Sequence, residues 1–140
     1  MNRSKGERGS ASIEVAMGVP AIALFLALVI LGGRIALAQQ AVQAAAANAA
    51  RTASLARTQA DARSQAQHAA NRVLANQGVH CTPATITIDT SQFTRPPGTP
   101  ALVTASITCR LTATDLGLPG PTSFTVTAHQ TSSIDTYRGR

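Results

Sequence analysis

The chain has 140 residues, room for one small domain beside any membrane segment. Only 3% are aromatic and none is Trp, so a globular core must be assembled from Ile, Val, Leu and Ala, and a core that thin invites a covalent staple. The 12 Lys and Arg against 6 acids raise nucleic acid or anionic lipid as partners, but Arg51, Arg57, Arg63 and Arg72 would point in different directions on a helix, so nucleic acid is not expected.

The first fourteen residues, MNRSKGERGSASIE, are polar, basic and rich in Gly and Ser. Residues 15–33 (VAMGVPAIALFLALVILGG) then carry no charge. At about 1.5 Å per residue, they reach close to the roughly 30 Å of a bilayer's hydrocarbon. A single membrane crossing is predicted. Arg3, Lys5 and Arg8 precede it, and short basic N-termini stay in the cytoplasm, so the larger C-terminal part is expected outside the cytoplasmic membrane.

Residues 34–77 are Ala-rich, lack Pro and Gly, and predict one long helix. Val42, Ala45, Ala49, Ala53, Ala56 and Ala60 recur at spacings of three and four, and Ala70, Val73 and Leu74 resume the stripe. Gly78 is the expected left-handed cap. Beyond it the composition turns to Thr, Ile, Val and Pro. Strands are predicted at 84–90, 102–112 and 123–130, with turns at 94–100 and 115–122, and with Phe124, Val126 and Ala128 of the third strand facing inward. The fold class is α+β: a long N-terminal helix, transmembrane and then Ala-rich, followed by a small three-stranded antiparallel sheet covered by the helix. The organisation is a basic leader (1–9), a transmembrane helix (10–34), an Ala-rich extracytoplasmic helix (35–78) and a disulfide-stapled β domain (79–140).

Cys81 and Cys109 are the only cysteines, and neither stands in a CxxC spacing. Outside the cytoplasm a disulfide between them is the plain expectation. The competing zinc reading would add His80 and His129, but no paired ligand motif supports it, and neither metal nor cofactor is expected. Catalysis is not expected either. His68 reads as solvated on the Ala-rich helix, and His129 and Asp135 have no placed nucleophile.

Glu14 stands at the start of the apolar run, where a carboxylate is costly unless it has a partner or lies in the headgroup zone. Gly9 is followed by Ser10, Ala11, Ser12, Ile13 and Glu14, so a cut after Gly9 leaves Glu14 fifth in the new chain. This arrangement resembles the processing site of type IV prepilins. The resemblance implies that a prepilin peptidase removes the leader and that Glu14 pairs with the new amine, at Ser10, of a neighbouring subunit. Gly9, Glu14, Ala16, Pro20, Gly33, Arg34, Gln40, Ala41 and Arg51 narrow it: the N-terminal third to two fifths of the chain is similar to the TadE-like pseudopilins of tight-adherence systems. Val15 departs from the Phe commonest in that family, and Leu31-Gly32 from an acid often found before Gly-Arg. The resemblance implies a minor pilin or pseudopilin, a structural subunit of a tight-adherence type pilus or related secretion apparatus, with other pilin subunits and the membrane as partners. An alternative stands beside it. Ala36, Leu37 and Ala38 form an A-x-A site, at which a signal peptidase would release a small secreted protein beginning at Gln39.

Overall fold

The computed structural model describes residues 8–117 and 119–135, with side chains from residue 15 onward. Of the expected leader, residues 1–7 lie outside the described residues. The elements are α1 (Arg8–Leu55), α2 (Gln59–Asn76), β1 (Ala84–Asp89), a 3-10 turn (Ser91–Thr94), β2 (Ala101–Thr112) and β3 (Ser123–Ile134), an α+β fold. The chain divides into two compact units, Met1–Ile35 and Ala36–Arg140, and α1 contributes to both.

The second unit is built on a three-stranded antiparallel meander in the order β1-β2-β3. Along β2 the faces alternate without a slip. Ala101, Val103, Ala105, Ile107, Cys109 and Leu111 are buried, and the residues between them are exposed or partly so. The inner face is covered by Ala38, Val42, Ala45, Ala49 and Ala53 of α1 and by Ala62, Ala66, Ala70 and Leu74 of α2, all in one apolar cluster with the strands. Alanine lets helix and sheet approach closely but buries little area per residue, and each Å² buried stabilises by only roughly 25 cal/mol. Ile107 and Val103, the largest apolar side chains of the sheet that are fully buried, lie on its middle strand.

The single Ala-rich helix expected over 34–77 is in fact two. Ser54 donates its hydroxyl to the Arg51 carbonyl at 2.8 Å, a local bond that competes with helix continuation, and α1 stops at Leu55. Thr58 then caps α2. Its hydroxyl accepts from the Asp61 amide at 3.1 Å and donates to the Asp61 carboxylate at 2.7 Å. The break resets the apolar stripe, so Ala60 is exposed rather than inward and Ala62 takes up the buried row. At the other end Gly78 is left-handed, with φ +66°, and Val79 N–H reaches the Leu74 carbonyl at 3.0 Å while Gly78 N–H reaches Ala75 at 3.0 Å. This is the Schellman pattern, sealed by Val79 against the core.

The strands form where alternation predicts them, with β3 extending four residues further, to Ile134. Val126 and Ala128 are buried, but Phe124 remains 36% exposed near the start of the strand and is not a core residue. β1 ends at Asp89, one residue early, because the Asp89 carboxylate accepts from the Ser91 amide at 2.9 Å and starts the 3-10 turn; that bond holds its acidity above the usual carboxyl range, its pKa lowered. Asp115 is likewise lowered by accepting from the Thr112 hydroxyl and amide at 2.6 and 2.9 Å, which closes the turn after β2.

One buried polar group is left over. Thr90, 1% exposed, has no hydrogen-bond partner for its hydroxyl among the described residues. Leaving such a group unsatisfied costs roughly 1–3 kcal/mol, so the near-isosteric Thr90→Val should raise the unfolding free energy by roughly 1 kcal/mol in denaturant titrations of the full chain. A fall in stability would mean that the hydroxyl does find a partner in solution.

Candidate processing and membrane-anchoring segment

Gly9, Ser10 and Glu14 all lie within the first two turns of α1 by their backbone. On an α-helix, positions 10 and 14 are one turn apart, about 6 Å along the axis. The apolar run that follows is helical throughout. Val15, Met17, Val19, Ile22, Leu24, Phe25, Leu26, Leu28, Val29 and Ile30 are all more than half exposed, on every side of the helix. Such a surface is unstable in water and suited to hydrocarbon. Val15–Leu55 is a candidate membrane span by length and composition, with a mean hydropathy of 2.6 over its most apolar window and none of that window buried.

Pro20 sits inside α1 and supplies no N–H, so the carbonyl one turn before it loses its helical partner. Membrane helices tolerate this where a neighbouring group can take the freed carbonyl. Arg34, exposed, follows Gly32 and Gly33 at the end of the uncharged run, where its long side chain can reach the headgroup zone.

The A-x-A sequence lies inside α1. Ala38 is only 5% exposed and belongs to the apolar cluster of the second unit, so a cut after it would sever a packed helix.

Cys81 and Cys109 are joined by a disulfide, with 5.0 Å between their Cα atoms. The bond ties the segment after α2 to the middle strand, and Thr82 N–H donating to the Arg110 carbonyl at 2.8 Å continues the attachment. Both sulfurs are committed to each other, which removes the two thiolates that a zinc site with His80 and His129 requires.

One pair escaped the sequence reading. The register sets Ser106 opposite His129 on the outer face of the sheet, and the Ser106 hydroxyl lies 2.8 Å from His129 Nδ1. A hydroxyl does therefore stand beside this imidazole, and only the pairing of β2 with β3 could have shown it. Both side chains lie in the outer Ser and Thr rows: Thr127 and Thr131 flank His129 along β3, and Thr104 and Thr108 flank Ser106 along β2. The carboxylate of Asp89, one rung away, is bonded to Ser91.

Residues 9–51 match the family model described as TadE-like protein, and the similarity is confined to this segment. Neither the curated proteins nor the solved structures gave a match.

Proposed function

We propose that this chain, TadE-like over residues 9–51, is a minor pilin or pseudopilin: a non-catalytic structural subunit of a tight-adherence type pilus or related secretion apparatus. The observation that carries the reading is an ordered series within the matched segment. Gly9 is followed at the fifth position by Glu14, then by an uncharged helix exposed on all sides and by Arg34. A prepilin peptidase removes residues 1–9, and Ser10 becomes the new N-terminus. Before that cut, Arg3, Lys5 and Arg8 set the orientation by keeping the N-terminal end in the cytoplasm, and the second unit stands on the extracytoplasmic side of the cytoplasmic membrane. A disulfide at Cys81–Cys109 suits that side. The Ser106–His129 pair is read as a cross-strand polar contact, because an exposed pair with no orienting acid lacks what activates a nucleophile.

The burial of Ala38 favours this reading over release of a secreted protein from Gln39. Expression of the full chain in membranes with and without a prepilin peptidase, followed by N-terminal sequencing, decides between them. The expected mature chain starts at Ser10 only when the peptidase is present. A chain starting at Gln39, or one that keeps Met1 in both cases, overturns the proposal.

A further inference from the structure

The two edges of the sheet are finished differently. On the β1 side, every end of β2 that projects past β1 is met by a specific group. Leu102 N–H donates to the Gln92 side-chain carbonyl at 2.9 Å, Thr82 N–H donates to the Arg110 carbonyl at 2.8 Å, Arg110 N–H to the Pro83 carbonyl at 3.3 Å, and Thr112 N–H to Asp115 at 2.9 Å. β1 itself is six residues long, carries Asp89 and is preceded by Pro83 and the disulfide. Short length, charge and proline are the devices that protect sheet edges.

β3 has none of them. It runs for 12 residues, SFTVTAHQTSSI, without Pro, Lys, Arg, Asp or Glu, and its register on β2 is continuous from Ala101↔Ile134 to Thr112↔Ser123 with no bulge. Its cross-strand side-chain bonds, from Ser123, Thr127 and His129, run back to β2. Among the described residues, no hydrogen bond reaches its outer edge. A bulge-free, uncharged edge of this length is a template for another strand.

We propose that the free edge of β3 pairs antiparallel with β3 of a second copy of this chain. The strand is complementary to itself. It holds no permanent charge to repel its twin, and strands paired about a two-fold keep inner residues opposite inner residues. In the register that overlaps the two strands most fully with Phe124 covered, Phe124 of each copy stands opposite Ile134 of the other. An aromatic and a β-branched residue on opposing strands are a favourable pair, and of the apolar inner-face residues of β3 it is Phe124 that its own chain leaves 36% exposed, while Val126, Ala128 and Ile134 are buried. The pairing goes beyond the subunit role proposed above and does not depend on leader removal.

The test uses the full chain in membranes with a photo-crosslinking residue at Thr131, exposed on β3, or at Thr85, exposed on β1. An adduct of twice the chain mass is expected from position 131 and not from 85. In the stated register Thr125 faces Ser133 of the other copy. Thr125→Lys with Ser133→Lys therefore sets like charges opposite each other twice, and the adduct should be lost. Thr125→Glu with Ser133→Lys sets opposite charges there and should restore it. Free-thiol labelling confirms in each variant that Cys81 and Cys109 remain bonded and the unit folded. No adduct from 131, equal adducts from 131 and 85, an adduct within one chain or to a different subunit, or indifference to the double lysine overturns the proposal. Each result reads separately from cleavage after Gly9, so the two proposals can fail independently.

Discussion

Removing the disulfide, by Cys81→Ser together with Cys109→Ala, should cost the second unit roughly 3 to 4 kcal/mol of stability. The sequence separation is 28 residues, and opening a loop of that size returns this much conformational freedom to the unfolded chain on the loop-entropy account. Alanine is the right replacement at position 109, which is fully buried, because serine would add an unpaired hydroxyl to the core. For a unit of about this size, the loss corresponds to a fall in Tm on the order of 15 °C. The effect should be large here because the buried residues of α1 and α2 are almost all alanine, so little apolar area opposes unfolding once the tie is cut. Thermal and denaturant unfolding of the full chain, compared with the parent under oxidising and reducing conditions, measures it. Reduction of the parent should reproduce the variant. A loss below roughly 1 kcal/mol would show that the alanine-lined core holds by itself.

Much of this architecture was legible in the residues because its signals are local. Two-residue alternation from Val103 to Leu111 marked both the strand and its buried face, and Gly78 marked the end of a helix because it adopts the left-handed conformation without the steric cost a side chain would bring. The helix break at Ala56–Thr58 was hidden, since no Pro or Gly announces it. Its signal is Thr58 followed by Asp61, a cap-like pair that an alanine-rich composition obscures. Phe124 misled for the opposite reason. Alternation gives its face correctly, but whether a helix reaches far enough to cover it is a tertiary property. The Ser106–His129 contact and the contrast between the two sheet edges depend on register over 23 residues and on loop hydrogen bonds, which no window along the chain contains. In the N-terminal segment the relation was reversed. Glu14 and the uncharged run that follows were plain in the sequence, because a membrane crossing and a misplaced carboxylate are both properties of composition and order.

Glu14→Gln should abolish co-assembly with partner pilins while leaving leader removal and the disulfide-tied unit intact. On the subunit reading, the Glu14 carboxylate meets the amine created at Ser10 of a neighbour within the low-dielectric start of the membrane span. Each charge alone would carry a desolvation cost, and together they offset it. Glutamine keeps the shape and some hydrogen bonding but leaves the ammonium without its counter-charge, and breaking such a pair from one side costs roughly 3 to 5 kcal/mol. That is on the order of a hundredfold or more in an association constant. Glu14→Ala should behave alike for assembly and insert at least as readily, since an apolar residue enters the bilayer more easily than an acid. A carboxylate that merely sits in the headgroup zone predicts something else: both variants would lose only its favourable interaction with the helix start, roughly 0.3 to 1 kcal/mol, and would assemble nearly as the parent does. Crosslinking or co-purification with partner pilins, scored beside the fraction of chain beginning at Ser10 and the absence of free thiols, separates defects in cleavage, folding and assembly. Parent-level assembly of a fully cleaved, disulfide-bonded Glu14→Gln chain would remove the intersubunit role from Glu14.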